Sequence, residues 1–311
     1  MKKISFLILL LLAFLLICFI PIQQHKTLNI NAQFFITMQQ LLQPANWEKW
    51  QPEVKKAWQK DPVQVKISKH NTVFSIQIPG SIITFSAQGF TFYVDKNSSW
   101  HNSRYQFVMI PVLKDGTAML TINQKTNLWN RLLDLLSQKP ENDLDQLKAF
   151  LEDPRQYYGF DIRRTTVTDS NVVVEKRRVS IQNKALEIAG TEQDLKVYVH
   201  QQNLKIVQPI IADIRAIGKD SLRIMIGLPV DKQTVSAGKI EFMHLPSHGR
   251  MLTGLYNGKY GGRQKLYLAM KTYIADHNLS SPEDAYEKYL DNKIPVSDTS
   301  WVRLQVNFPI F

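Results

Sequence analysis

The chain has 311 residues, 44% of them hydrophobic and 21% charged, with six Trp, one Cys and a formal net charge of +11. This composition excludes a disordered tail, a collagen-like fibre and a multi-span membrane protein, and a single Cys excludes a disulfide scaffold or a Cys-based zinc site. Length suggests two compact domains once an amino-terminal apolar stretch is set aside.

That stretch comes first. From Ile4 to Ile22 the sequence carries no charge and only Ser5 is polar. As a helix rising about 1.5 Å per residue it would span roughly 28 Å, one bilayer crossing. Its end is bulky (Ile, Phe, Pro, Gln) rather than the small residues a signal peptidase needs, so an uncleaved signal-anchor is expected over residues 1–26. Cys18 is either a lipid-facing thiol or a lipidation acceptor; Ile17 stands where the latter wants a small residue. Lys2 and Lys3 precede the span, which predicts a cytoplasmic amino terminus and a periplasmic or otherwise extracytoplasmic body. The remaining positive charge suits anionic headgroups; no helix-turn-helix, zinc finger or aromatic-studded basic strand accompanies it, so nucleic acid is not an expected partner.

Residues 27–33 alternate as a half-buried strand, followed by a short helical stretch with Met38, Leu41 and Leu42. Trp47, Trp50, Val54 and Trp58 then recur at helical steps across Pro52, an aromatic face that reads as core. Between Val63 and Leu120 several alternating runs, punctuated by Asn, Gly, Pro and Asp, predict an antiparallel sheet. Residues 126–152 read as helix, with Leu128, Leu132, Leu135, Leu144, Leu147 and Leu151 at helical spacing and a break at 140–143. With NWEKWQP at 46–52 and the closing NLWNRLL and DQLKAFLE, residues 27–155 resemble the SRPBCC superfamily, the START and polyketide-cyclase-like helix-grip fold. The resemblance implies an apolar cavity between sheet and helix. Polar, Tyr-rich DPRQYYGFDIRR at 153–164 marks the boundary.

The second half contains a repeat. LRIMIGLPV at 222–230 and VRLQVNFPI at 302–310 align with a constant offset, Arg on Arg and Pro on Pro. In each copy Leu222, Ile224, Ile226 and Leu228, or Val302, Leu304, Val306 and Phe308, share one face, leaving Met225 and Gln305 on the other at equivalent places. A helix is expected upstream of each, over 194–214 and 261–278. Residues 165–311 resemble the GyrI-like, or AraC-type effector-binding, domain: GLYNGKYGG at 254–262, YEKYLDN at 286–292 and SWVRLQVNFPI at the end carry the likeness. It implies a duplicated strand-helix-strand-strand unit whose inter-repeat groove takes small planar or cationic molecules, with a Glu on the last strand. Gln305 stands at that Glu position, and it neutralises no cation and transfers no proton.

The expected fold class is therefore α+β: one transmembrane helix, a helix-grip domain and a GyrI-like domain. The expected function is a membrane-anchored binder of small hydrophobic or aromatic molecules, using Met225, Tyr256, Glu287, Tyr289, Trp301 and Gln305, with no cofactor and no metal. The alternatives are a hydrolase of small reactive compounds in the same groove, with Glu287 as base, and a module whose grooves are filled by its own side chains. His244 and His248 are four apart but flank Pro246, a turn rather than a metal-binding helix face. NGKYGGR lacks the end of a P-loop and reads as a tight strand-to-helix turn.

Overall fold

The computed structural model describes residues 21–98, 102–114, 116–127, 143–168, 171–245 and 248–311. The chain is α+β, built from two antiparallel sheets with several helices. It divides into two compact units, the first ending at Asp153 and the second running Pro154–Phe311. Among the described residues no helix is long and apolar enough to cross a membrane. Residues 4–20 of the expected anchor lie outside the described residues; Pro21 and Ile22, assigned to its end, instead begin strand β1 (Pro21–Gln33).

In the first unit β1 leads to helix α1 (Phe34–Leu42), α2 (Trp47–Trp50) and α3 (Pro52–Lys60). The Trp-rich stretch is two helices because Pro52 cannot continue a helix but can start one. Gln51 between them accepts a hydrogen bond from Val54 N at 2.7 Å, capping α3. Strands β2 (Lys66–His70), β3 (Val73–Ile78), β4 (Ser81–Gln88), β5 (Thr91–Ser98), β6 (Asn102–Pro111) and β7 (Thr117–Asn127) form a meander. Its order is β1-β7-β6-β5-β4-β3-β2. Alternate residues of neighbouring strands put aromatic rings side by side: Phe74 and Phe85 at 4.9 Å, Phe85 and Phe92 at 5.7 Å, Phe92 and Phe107 at 5.1 Å. Trp47 is fully buried edge-on against Phe74 and Phe85, its indole N–H donating to Leu41 O at 2.9 Å. The helix expected from residue 126 is corrected at its start, since β7 extends to Asn127; Leu128, Leu132 and Leu135 lie outside the described residues. Helix α4 (Asp143–Glu152) buries Leu144, Leu147 and Leu151 as their spacing predicts.

The second unit takes in the segment read as a boundary. Helix α5 (Pro154–Tyr158) is held to its own unit by Tyr158, whose hydroxyl donates to Asp276 at 3.0 Å. Strand β8 (Ile162–Thr166) joins the second sheet at its edge. Then follow β9 (Asn171–Ser180), α6 (Lys184–Gln201), β10 (Ile211–Ile217), β11 (Ser221–Pro229), β12 (Ile240–His244), β13 (Arg250–Lys259), α7 (Gln264–Asp276), β14 (Tyr286–Tyr289) and β15 (Trp301–Pro309). The sheet order, β12-β9-β11-β10-β14-β15-β13-β8, is a palindrome of two strand-helix-strand-strand units meeting at β10 and β14. Both helices follow a 3-10 turn (Ile181–Asn183 and Tyr260–Arg263), and both end just before an Asn with positive φ, Asn203 at 49° and Asn278 at 51°. The helix expected over 194–214 is corrected: α6 lies ten residues earlier and 211–214 is strand, since Asn203 and Pro209 terminate the helix.

Candidate functional site

Antiparallel pairing decides which side chains share a face, because residues directly opposite project the same way. At the centre of the second sheet Ala212 pairs with Glu287 and Ile211 with Lys288. Met225 pairs with Asp213, and Gln305 with Lys288, at matching positions in the two repeats. The repeats are thus related by a pseudo-twofold axis through the Ala212–Glu287 pair.

One face is covered by α6 and α7. Ile188, Leu195, Tyr198 and Val199 of α6, with Leu266, Ala269, Met270 and Tyr273 of α7, pack on Ala212, Ile224, Ile226, Leu304 and Val306. Glu287 and Tyr289 belong to this face. Glu287 is buried, and both its oxygens are engaged: Arg263 Nε at 2.7 Å and the Tyr267 hydroxyl at 3.1 Å donate to Oε1, while the hydroxyls of Tyr289 and Tyr260 donate to Oε2. The Arg263 guanidinium also lies 3.5 Å from the centre of the Tyr260 ring. Burial, then the negative charge of Glu287, pushes the hydroxyls of Tyr260, Tyr267 and Tyr289 well above the usual tyrosine range, so they remain protonated donors. Burial lowers the pKa of nearby Lys184, partly offset by Asp298. Tyr256 shares this face; its hydroxyl donates to Lys259 O at 2.6 Å.

On the opposite face, among the described residues, the apolar cluster includes no helix residue. Val172, Val174, Ile211, Met251 and Tyr286 are buried there, and Val167, Met225, Met243 and Leu245 pack on them partly exposed. One cross-strand row runs Glu241, Val174, Gly227, Ile211, Lys288, Gln305, Leu255. Lys288 is buried at 6% exposure despite its charge. Gln305 donates from Nε2 to Asn307 Oδ1 at 2.6 Å. Alongside, Asp213 accepts from Arg215 Nε at 2.6 Å and Arg223 at 3.3 Å, and both arginines also reach Asp284. Burial raises the Asp213 pKa, opposed by the hydrogen bond from Arg215.

The six residues expected to share one groove are therefore divided. Met225 and Gln305 flank the axis on the helix-free face, three strand spacings or roughly 14 Å apart sideways. Trp301 is on the same face but two rows along β15 from Gln305, about 13 Å away; it is exposed and donates to Asn257 Oδ1 at 2.8 Å. Tyr256, Glu287 and Tyr289 lie on the other side of the sheet. Glu287 is paired with Arg263. With four donors on its carboxylate it is arranged as the centre of a packed ion-pair network rather than as an open base. Lys288 was missed: alternation in YEKY sets it on the other face from Glu287, but only the β14–β15 register brings it beside Gln305. Arg263 was missed because it comes from a turn, where no periodicity points to a partner.

His244 ends β12 with its Nδ1 3.1 Å from Asn171 Oδ1, and among the described residues no three His, Cys, Asp or Glu side chains converge as a metal site.

No family model matches the chain, and no curated protein matches it. Among solved structures it is similar to the EcmrR C-terminal domain, at 13% identity and a TM-score of 0.40, over 49% of this chain and 98% of that one. It is similar to EcmrR in a DNA complex at 14% identity and a TM-score of 0.40, over 58% and 70%. A hydrolase from Listeria innocua matches at 11% identity and a TM-score of 0.36, over 49% and 92%. Similarities at these scores carry no argument about what this chain does.

Proposed function

We propose that the second unit binds a small amphipathic molecule on its helix-free face, across the pseudo-twofold axis, and that the ligand is neutral or anionic rather than cationic. The observation that carries this reading is the row Ile211, Lys288, Gln305 beside the apolar cluster of Val172, Val174, Met225 and Met243. Methionines adapt to irregular apolar shapes, and Met225 and Met243 are partly exposed at the cluster's edge. Where the GyrI-like resemblance calls for a carboxylate, this chain has Gln305, an amide that brings no countercharge for a cation but offers both donors and an acceptor to a polar group, with Lys288 paired to it across the strands. The helix-side carboxylate, Glu287, is already neutralised by Arg263, which favours binding over hydrolysis. A tether in residues 4–20 and an extracytoplasmic body belong to the same proposal, together with the SRPBCC-like character of the first unit.

Isothermal titration with an aromatic sulfonate and with a tetraphenylphosphonium cation tests it. The sulfonate is expected to bind saturably and the cation to bind more weakly. Lys288→Gln removes one charged hydrogen bond and is expected to weaken the sulfonate about tenfold, in line with ~1.5 kcal/mol. Equal affinity in wild type and variant, or preference for the cation, would overturn the reading.

A further inference from the structure

At one end of the first sheet the strand order brings together the β2–β3, β4–β5 and β6–β7 turns and the β1–α1 junction. Large apolar side chains project from it into water: Leu113 is 98% exposed, Phe35 74%, Phe90 61%, with Ile110 and Val73 also exposed. The end is stiffly built. Phe34 lies 6.2 Å ring to ring from Phe90 and 5.4 Å from Phe35, and its N–H donates to Gly116 O at 2.9 Å. The β6–β7 turn is pinned by Val112 N to Thr117 O and Gly116 N to Val112 O, both 2.8 Å. Gly116 has φ +71°, a backbone conformation that L side chains rarely adopt, so this turn favours glycine there.

A monomer gains nothing by presenting several large apolar groups to water at one end. A protein partner wants a continuous face of roughly 800 Å²; here Phe90 and Leu113 stand on separate turns and Phe35 on α1, with Lys114 beside Leu113 and Lys69 near the end of β2. We propose that this end inserts into the interfacial region of a bilayer, Leu113, Phe90 and Phe35 entering the acyl boundary while Lys69 and Lys114 meet anionic headgroups. It is a membrane contact distinct from the amino-terminal stretch, which joins the opposite end of β1 roughly 40 Å along the strand, so both reach one bilayer only with the strands lying along its surface; it is independent of the ligand reading of the second unit.

The full chain carrying Cys18→Ser, with an environment-sensitive dye on Leu113→Cys, Phe90→Cys or, as control, the exposed mid-strand Gln106→Cys, tests it. Each labelled chain is added to vesicles of neutral or phosphatidylserine-rich lipid bearing a shallow spin-label quencher. Reading by position separates this contact from any tethering by residues 4–20. The dyes at 113 and 90 are expected to be quenched about twofold or more, increasingly with anionic lipid, and the dye at 106 little. Quenching equal at all three positions, or none at 113 and 90, overturns the proposal. So does shielding of the dye at 113 without lipid: if it grows with protein concentration the occupant is a second copy, and if not, the chain itself covers the end.

Discussion

Glu287 shows how far a side chain's chemistry depends on its neighbours. In the sequence it is an acidic residue beside Lys288; in the fold it is a buried carboxylate receiving Arg263, Tyr260, Tyr267 and Tyr289. Removing one partner of a buried pair strands the other, at about 3–5 kcal/mol. Glu287→Gln is therefore expected to lower the unfolding free energy of the second unit by roughly that amount in urea denaturation, while leaving sulfonate affinity near wild type because the network lies on the opposite face. A stable variant that loses binding would put the site on the helix side instead. Gln305 makes the complementary case. A carboxylate at 305 would be held by Lys288 across the strand pair, so Gln305→Glu alone is expected to change affinity for tetraphenylphosphonium little, whereas the double variant with Lys288→Gln raises it about tenfold by titration. Equal cation affinity in the double variant and wild type would mean that neither residue faces the ligand.

The strands of the repeat were the most legible elements, because LRIMIGLPV and VRLQVNFPI alternate cleanly and each buries one set on the core. The helix α7 was legible from Leu266 and Met270. Its counterpart α6 was not, since it buries Thr191 and Tyr198 among polar neighbours and its apolar stripe is broken. The face occupied by Glu287, Tyr289 and Tyr256 was not legible either: without the register, a two-sided strand such as YEKY, buried at all four positions, gives no sign of which side carries helices. Register also explains Gly227, which pairs with both Ile211 and Val174 at the centre of the helix-free face. A Cβ there would sit 2.8 Å from Val172, 2.9 Å from Ile211 and 3.0 Å from Val174. Gly227→Ala is expected to cost about 1–3 kcal/mol by overpacking and to weaken sulfonate binding with it. Thermal unfolding at the wild-type midpoint with unchanged binding would show that the apolar cluster is not part of the site.

At the scale of the whole molecule, the chain combines two α+β units with different interiors. The first is filled by stacked aromatic rings under Trp47, while the second holds its polar chemistry at the seam of a duplicated sheet. The positive charge of the whole chain, +11, suits the anionic ligand proposed for one unit and the anionic surface proposed for the other. The doubling of the second unit was visible in the sequence; the splitting of its six expected residues between two faces was not, because face assignment needs three-dimensional pairing. The account rests on the helix-free face being where a ligand sits. Photolabelling the full chain with an anionic amphipath bearing a diazirine, followed by peptide mapping, tests this most directly. Labels competed away by excess sulfonate are expected on peptides containing Met225, Met243 and Gln305. Competed labels on α6, α7 or the Glu287 network, with none on those three peptides, would contradict it.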